Sequence, residues 1–409
     1  MLLAGGLLAM ADAGGLGPAK SRATFELSLC LALAVVGILV VLPARRLRSA
    51  TGLAAAVVFV GFEAVQTQHP VAIYGHGRWL TVAEMVAAVL PALGLVIAVA
   101  ADNVARIAYR VLLALFTLGG VAVIRSSPRP SIDVWYLLQH ATSCLTHGCN
   151  PYAMHTPASP QLKDGFPYLP GTAYVLTPFH VVLGDARYGE VAALLVGAVL
   201  LTRMIGGQWG KVAAALALSV PCTLFSIEQA WIEPLLFAAL VAVAWAWRAN
   251  RSVALVVLLA LAFTLKQHAI LLAPLALGML GWRRTLAAGG AAAAVSAPLV
   301  FLNFHAFWET AVKVFYDLPP RTDSLSIWLD ASPSIRPWLP YVLLAAGYAL
   351  IGLRMPWTPA GWLVGSGLLL GLFDLGNKFS FFNEWWLPAV LLAAGAAASV
   401  CIVDREVST

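Results

Sequence analysis

Charged residues are scarce in this sequence of 409 residues. Asp, Glu, Lys and Arg make up 11% of it, against about 25% in soluble proteins. Hydrophobic residues make up 61%, against roughly 45–50% in soluble proteins, which excludes a water-soluble chain. The mean hydropathy of +0.85 extends over the whole chain and indicates repeated membrane crossings, because each helical span needs about 20 mainly apolar residues. We therefore expect one all-α polytopic membrane protein.

Motifs of several other function classes are also missing. The sequence contains no nucleotide-binding loop, no separate soluble domain and no signal for nucleic-acid binding. It also has no convincing internal repeat of the kind that many transporters contain. The formal net charge of +6 therefore reports membrane topology, because Lys and Arg accumulate in cytoplasmic connections.

Apolar runs predict about thirteen transmembrane helices. They lie near residues 27–43, 52–67, 80–100, 107–124, 190–202, 212–227, 234–247, 252–265, 269–282, 285–303, 338–353, 357–373 and 385–402. Several are shorter than a full span. The pair 252–265 and 269–282 could also be one broken helix.

The basic residues predict how the chain is oriented. If the chain alternates through these runs, the basic joints fall on one side, which should be the cytoplasm. They are Arg45, Arg46, Arg48, Arg106, Arg203, Lys211, Arg248, Arg251, Arg283, Arg284, Arg354 and Arg405. The extracytoplasmic face then receives the long outer loop at 125–189, the connection at 304–337 and the turns at 228–233, 266–268 and 374–384. We expect a multi-pass protein of the plasma (inner) membrane whose polar residues lie mostly on that outer face.

The stretch from Gly171 to Gly184 is apolar enough to resemble a further span. Counting it as one would invert every later connection and place the later arginine pairs outside. We therefore predict a helix that lies at the membrane surface.

Asp133 is the first candidate for chemistry in the outer loop. It follows the fourth apolar run by about eight residues, which places it at the outer membrane boundary. A carboxylate there can accept a proton from a reacting hydroxyl. The alternative is that Asp133 only caps the helix that begins at Val134.

The motifs around Asp133 resemble those of a known family. An acidic residue in the first outer loop is followed by a Gly-x-Asn-Pro-Tyr turn at Gly148 to Tyr152 and by a Tyr-x-Pro helix entry at Tyr168 to Pro170. This pattern is similar to the polyprenol-phosphate-mannose-dependent mannosyltransferases of actinobacteria, which belong to the GT-C class. The resemblance covers roughly residues 107–403 and implies that Asp133 is the catalytic base of an inverting sugar transfer from polyprenyl-phosphate mannose to a cell-envelope glycolipid or glycan.

The resemblance also implies a division of the chain. Residues 1–105 form a tail and extra N-terminal helices, and residues 106–403 form a GT-C-like catalytic core that includes the outer loop at 125–189. Residues 404–409 form a cytoplasmic tail.

Cations are expected where the departing donor phosphate would lie. Lys266 and His268 interrupt an apolar region, and intramembrane ionisable residues are functional candidates by default. Arg321 and Lys378 are the reserve phosphate ligands. In each case a structural role is the alternative: Lys266 could snorkel to the interface, His268 could cap a helix, and the other two could lie solvated on loops.

Further polar and aromatic residues on the outer face are candidates for substrate contact. They are Tyr136, His147, Asn150, Tyr152, Tyr168, Glu228, Gln229, Glu233, Gln267, Asn377, Asn383 and Glu384. An aromatic belt at the interface is the alternative explanation for the tryptophan-containing clusters among them.

Two of the five cysteines lie in the outer loop. Cys144 and Cys149 are five residues apart and face a compartment that the topology makes oxidising, so we predict a disulfide. A metal site with His147 is the rival, but two thiols and one imidazole are too few for a closed zinc site. Val134 follows Asp133, so a metal-bridging acidic doublet is absent. We expect a metal-independent site without a cofactor.

Three rival functions remain. An arabinosyltransferase that uses polyprenyl-phosphate arabinose would follow the same chemical logic. A membrane transporter or lipid flippase would also need many helices and scattered intramembrane charges. A noncatalytic partner in an envelope-synthesis complex would suit the extra N-terminal helices and would not need Asp133. The expected partners are the lipid bilayer, the lipid-linked sugar donor and the glycolipid or glycan acceptor.

Overall fold

The computed structural model describes residues 51–66, 70–154 and 165–408. The predicted run at 27–43 and the apolar first residues lie outside this part. Within the described residues the chain forms helices and no strand. The prediction of an all-α membrane protein is therefore confirmed at that level.

The first half of the described chain forms helices α1 to α9. They are α1 Thr51–Gln66, α2 Gly77–Val99, α3 Asp102–Ser126, α4 Asp133–Thr146, α5 Pro170–Leu183, α6 Tyr188–Ile205, α7 Gly207–Ser219, α8 Thr223–Glu228 and α9 Glu233–Arg248. A short 3-10 helix at Pro151–Ala153 lies between α4 and α5.

The second half continues with helices α10 to α17. They are α10 Ser252–Leu265, α11 Ala273–Leu280, α12 Trp282–Leu302, α13 Phe304–Phe307, α14 Val314–Asp317, α15 Leu339–Arg354, α16 Pro359–Gly376 and α17 Phe382–Ser408. A 3-10 helix at Gln267–Leu272 precedes α11, and a π-helix at Trp308–Lys313 joins α13 to α14.

In the part of the chain that the structure describes, five helices are long and apolar enough to cross a membrane: α2, α3, α6, α12 and α16. Three shorter apolar helices are α10, the segment Gln267–Leu280 and α15. The chain therefore has the character of a helical membrane protein. The figure of about thirteen spans stays a prediction.

The predicted run at 212–227 is not one helix, which corrects that expectation. It divides into α7 and α8. Cys222 lies at the break with a φ of 68°, and Pro221 precedes it. Because the left-handed conformation costs roughly 1–2 kcal/mol for a non-glycine residue and proline lacks an amide hydrogen, a continuous helix cannot pass through this point.

The alternative that 252–265 and 269–282 form one broken helix is also corrected. The Arg284 side chain, near the start of α12, donates a hydrogen bond to Ser252 Oγ at the start of α10 (3.2 Å). The N-terminal ends of α10 and α12 therefore lie at the same end of the bundle. The segment Gln267–Leu280 returns the chain between them and is a separate pass, with Lys266 in extended conformation at the reversal.

One end of the bundle collects basic connections. The Gln208 side chain donates to the carbonyls at the C-terminal end of α2 (2.8–3.2 Å), and Lys211 pairs with Asp102 (3.9 Å). Together with Ser252 and Arg284, these residues define what we call the basic end. The structure therefore groups these connections at one end of the bundle, and the side of the membrane that this end faces stays a prediction.

The opposite end collects the residues that the sequence marks for chemistry. The Arg187 guanidinium donates to the Ser127 carbonyl (2.9 Å), and the Lys266 ammonium pairs with Glu233 (2.5 Å) and Glu384 (3.1 Å). These five residues lie at the ends of α3, α6, α9, α10 and α17. We call this end of the bundle the polar end.

The helix predicted at Gly171 to Gly184 exists as α5. Its first turn lies against the end of α10, because a Cβ at Gly171 would overlap the Thr264 side chain, and Thr172 Oγ1 donates to the Leu265 carbonyl (2.7 Å). Its C-terminal apolar side chains are exposed. At 14 residues α5 is shorter than the roughly 20 residues of a transmembrane helix, and its position at the membrane surface stays a prediction.

One apolar core runs through the described chain, from Val58 in α1 to Ala398 in α17. The N-terminal helices belong to it: the Gly119 Cα in α3 lies so close to Val86 in α2 that a Cβ would be crowded. Helix α2 therefore packs against α3, and the division of the chain at residue 105 stays a prediction.

Candidate functional site

Asp133 begins helix α4 at the polar end. Its Oδ1 accepts a hydrogen bond from the Val134 amide (2.8 Å), which satisfies one donor of the first helical turn. No described residue donates to the other oxygen, and the side chain is partly exposed. Asp133 therefore acts as a local cap and still presents one carboxylate oxygen to whatever occupies this end.

An arginine that the sequence analysis missed holds Asp133 in place. Arg187 is fully buried and donates to both oxygens of Asp185 (2.7–3.2 Å) and to the Ser127 carbonyl (2.9 Å). The Trp135 indole donates to the same Asp185 carboxylate (3.3 Å), and its ring lies 5.8 Å from the Arg187 guanidinium. This cluster ties the end of α3 to the first turn of α4, where Asp133 lies.

A sequence signal for this cluster was available. An acid and a base two residues apart directly follow Gly184, the left-handed residue that ends α5. Such a pair in a turn between apolar helices is costly to bury unless each charge has a partner. The pairing with Ser127 and Trp135, across about 50 to 60 residues, could not be read from the sequence.

Lys266 is the centre of a buried ion cluster at the polar end. Its ammonium lies 2.5 Å from Glu233 Oε1 and 3.1 Å from Glu384 Oε1. The Asn383 amide donates to the same two oxygen atoms (both 2.9 Å). The Phe381 amide donates to the second oxygen of Glu384 (3.0 Å). The sequence predicted four of these five residues as site residues, and the structure brings those four together.

The charge of Lys266 is matched inside the protein. Burial alone would lower the pKa of its ammonium, but the two carboxylates outweigh burial and hold this pKa above its ordinary value. Lys266 therefore does not point away from the bundle as a snorkelling residue would. Its positive charge is already balanced before any phosphate approaches.

Tyr168 connects this cluster to Asp133. Burial raises the pKa of its phenol, and the charges of Asp133, Glu233 and Glu384 raise it further, while Lys266 opposes them. All four charged groups are therefore electrostatic neighbours of the one ring. The phenol stays protonated at physiological pH and can donate a hydrogen bond.

Arg321 is a second cation in electrostatic contact with Asp133. It pairs with Asp323 (2.6 Å), and about half of its side chain is exposed (52%). The hydrogen bonds to Asp323, and additionally the charge of Asp133, raise the pKa of the Arg321 guanidinium. Among the predicted phosphate ligands, Arg321 is thus a half-exposed cation on which the charge of Asp133 acts.

Two further acids lie buried near the Lys266 cluster. Glu190 is completely buried, and neither of its carboxylate oxygens has a hydrogen-bond partner among the described residues. Asp374 is also buried, and its Oδ1 has no partner there either. Glu190 interacts electrostatically with Arg187, Asp185 and Glu233, and Asp374 with Glu384, Lys266 and Glu233.

Several predicted substrate ligands serve as connections between loops. The Gln267 amide donates to the carbonyls of Pro167 (2.7 Å) and Ala311 (2.8 Å). The Asn150 amide donates to a carbonyl near the end of α12 (2.8 Å), and its oxygen accepts from the Tyr152 amide (3.0 Å). The Tyr152 hydroxyl donates to the Tyr168 carbonyl (2.9 Å). The Gly-x-Asn-Pro-Tyr turn therefore anchors the segment that carries Tyr168.

Glu228 and Gln229 lie in the turn between α8 and α9. The two Glu228 oxygens accept from the backbone amides of Ile73 (2.8 Å) and Tyr74 (2.7 Å), and Gln229 donates to the same carboxylate (2.7 Å). Ala230 follows with a φ of 56°. Glu228 is thus occupied in fixing the connection before α2.

The remaining predicted residues form no hydrogen bond or ion pair with the Lys266 cluster in the described part of the chain, although the Lys266 charge acts on His268. Tyr136 stacks on a neighbouring ring of its own helix (3.8 Å), and Lys378 donates to two carbonyls at the end of α14 (2.7 and 2.9 Å). His268 contacts a phenylalanine ring (5.4 Å), and Asn377 ends α16 through its backbone. His147 is exposed at the far end of α4, about 20 Å along the helix from Asp133.

Cys144 and Cys149 form a disulfide in the structure, with 5.0 Å between their Cα atoms. This bond closes the turn at the end of α4. Over residues 51–66, 70–154 and 165–408, no three His, Cys, Asp or Glu side chains are grouped so that they could hold a metal ion.

No family model, curated protein or solved structure matches this chain. The family that the motifs resemble therefore stays a prediction. Any function has to be inferred from the side chains at the polar end.

Proposed function

We propose that this protein is an inverting membrane glycosyltransferase that takes a mannosyl unit from polyprenyl-phosphate mannose at the extracytoplasmic face. The observation that carries the proposal is the arrangement at the polar end: Asp133 has one carboxylate oxygen to which no described residue donates, and its charge acts on Arg321, whose side chain is about half exposed. A single displacement needs a base for the acceptor hydroxyl and a cation for the departing phosphate. The acceptor is a cell-envelope glycolipid or glycan.

In this mechanism the oxygen of the acceptor hydroxyl attacks the anomeric carbon. Asp133 accepts the proton of that hydroxyl as the attack proceeds. The bond between that carbon and the phosphate oxygen breaks, and polyprenyl phosphate leaves. One displacement inverts the anomeric configuration, so no second carboxylate acts as a nucleophile. The Arg187 cluster fixes the first turn of α4, which carries Asp133.

Arg321 replaces Lys266 as the leading phosphate ligand. The Lys266 ammonium is already paired with Glu233 and Glu384, so a donor phosphate would have to compete with two carboxylates. Arg321 has one carboxylate partner and is half exposed. A guanidinium can bind a phosphate through two parallel hydrogen bonds.

The test is transfer of labelled mannose from polyprenyl-phosphate mannose in membranes that contain the full chain. Asp133→Asn should lower the rate by about 10²–10⁴-fold, the usual contribution of a general base. The matched control is Asp102→Asn at the basic end, which should keep the activity because Asp102 is exposed and far from the polar end. Retained transfer by Asp133→Asn would remove Asp133 as the base.

The role of Arg321 has its own experiment. Arg321→Gln should raise KM for the lipid-linked donor and lower kcat, because the substrate phosphate and the leaving phosphate both lose a cation. Arg336→Gln on the same connection is the control, since Arg336 donates to backbone carbonyls at 2.7 and 3.0 Å. Unchanged donor kinetics in Arg321→Gln would contradict this assignment.

A transporter or lipid flippase is the second candidate, and Glu190 and Asp374 favour it. Buried carboxyl groups without partners in membrane helices often mark proton or ion pathways. This candidate predicts that the unmodified protein transfers no sugar from any lipid-linked donor. It also predicts that Glu190→Gln abolishes transport in proteoliposomes while Asp133→Asn does not.

A further inference from the structure

A cavity of about 270 Å³ lies at the basic end, remote from the polar end. It is formed where α6 ends, α7 begins and α9 ends. Arg203 and Arg248 line it from opposite helices, together with Trp245 and the backbone of Gly206. None of these residues has a role in the proposed transfer.

No ion pair within the described residues balances the positive charge of this cavity. Neither Arg203 nor Arg248 forms an ion pair with a carboxylate in the described part of the chain. Arg251 lies 5.2 Å above the Trp245 ring and adds a third guanidinium close to the rim. Asp102, at the same end of the bundle, pairs with Lys211.

Helix dipoles account for only part of this charge. Arg203 and Arg248 lie in the last turns of α6 and α9, where cations are favourable. Each helix end contributes roughly half a negative charge, and the start of α7 contributes roughly half a positive charge. Against three guanidinium groups, the two C-terminal helix ends and the start of α7 leave a surplus of about two and a half positive charges. All three arginines are exposed, so this surplus charge is accessible to an anion at the cavity.

We propose that this cavity binds the phosphate headgroup of one anionic membrane phospholipid. Guanidinium groups bind phosphate oxygens in pairs, and basic pockets between membrane helices are typical sites for such headgroups. The cavity is slightly smaller than the roughly 300–1,000 Å³ of drug-sized ligand sites, which suits a headgroup whose acyl chains stay outside. α6 is long and apolar enough to span a bilayer, so its end lies at headgroup depth.

The experiment is native mass spectrometry of the full chain, purified in neutral detergent and titrated with phosphatidylglycerol or phosphatidylcholine. One phosphatidylglycerol should bind selectively. Arg203→Gln with Arg248→Gln should weaken this binding about a hundredfold, since each hydrogen bond to a charged group contributes roughly tenfold or more. The matched control combines Arg283→Gln with Arg354→Gln, basic joints that do not line the cavity, and should bind like the unmodified protein.

Equal binding of phosphatidylcholine, or unchanged binding in the Arg203 and Arg248 double variant, would overturn the proposal. Displacement of the lipid by low millimolar inorganic phosphate would overturn the lipid as the occupant and identify a free-phosphate site. If the double variant does not fold, Arg203→Lys with Arg248→Lys replaces it and should bind with intermediate affinity, because lysine keeps the charge but not the paired donors. If this lysine variant bound the lipid as tightly as the unmodified protein, the result would contradict the proposal.

Discussion

Removing the Lys266 ammonium should destabilise the protein strongly. In Lys266→Met, the Glu233 and Glu384 carboxylates lose their shared cation. Their Oε1 atoms both lie 2.9 Å from the same Asn383 nitrogen, so they are at most about 6 Å apart. At an effective dielectric constant of about 20, two negative charges at that distance repel by about 3 kcal/mol. This agrees with the about 3–5 kcal/mol typically lost when one partner of a buried ion pair is removed.

The assay is the thermal midpoint of the purified protein in detergent, followed by tryptophan fluorescence. Lys266→Met should lower the midpoint by several degrees, and the deficit should shrink as the pH falls, because protonation of one carboxyl group removes the repulsion. Adding Glu233→Gln and Glu384→Gln should recover most of the loss. Lys313→Met is the control: Lys313 forms two partly exposed pairs, with Glu309 (3.0 Å) and Asp317 (3.4 Å), and their loss should shift the midpoint little.

A midpoint of Lys266→Met equal to that of the unmodified protein would refute this reasoning. It would mean that the ammonium does not balance the two carboxylates. If such a stable variant also lost affinity for a lipid-phosphate donor, Lys266 would return to the role of a phosphate ligand that the sequence first suggested.

Three other substitutions test the connections around the polar end, each by the same thermal midpoint. Arg187→Met should lower the free energy of unfolding by about 3–5 kcal/mol, because it leaves the Asp185 charge buried without its partner. A midpoint like that of the unmodified protein would contradict a stabilising role of the Arg187 cluster. Glu228→Gln should cost about 1–3 kcal/mol, since one of two backbone amides loses its acceptor; retention of the full midpoint would show that water replaces the bond. Cys144→Ser should lower the free energy of unfolding by about 2 kcal/mol, which is the chain-entropy value for so short a loop. Reduction of the disulfide to Cys149 in the unmodified protein should have the same effect. If neither change lowers the midpoint, the disulfide does not stabilise the turn.

The sequence predicted the membrane character of the chain and most helix positions. Apolar runs mark helices reliably because burying unpaired backbone groups in lipid is so costly that the spans have to be helical. The run at 212–227 was predicted as one helix because hydropathy does not register the left-handed conformation at Cys222. The return of the chain at Lys266 was left open because length alone could not decide between one broken helix and two passes.

The site was predictable in its residue types and not in its pairings. Asp133 and Lys266 are recognisable because ionisable groups between apolar helices are costly to bury. Their partners are set by helix packing: Lys266 meets Glu384 across 118 residues, and Arg187 meets Ser127 across 60. Glu228 was predicted as a substrate ligand because the sequence does not show its two partners, the backbone amides of Ile73 and Tyr74. These amides belong to a loop that is distant in the sequence.

The sequence by itself determined that this chain is a bundle of apolar helices and that acids and bases accumulate at its connections. Only the tertiary structure decided which of these charges neutralise one another. The charge of the buried Lys266 ammonium is balanced by carboxylates. Asp133, in contrast, has one oxygen to which no described residue donates, and the Arg321 side chain is half exposed. The physical reason is that hydropathy depends on composition along the chain, whereas the free energy of a buried charge depends on the few ångströms to its nearest partner.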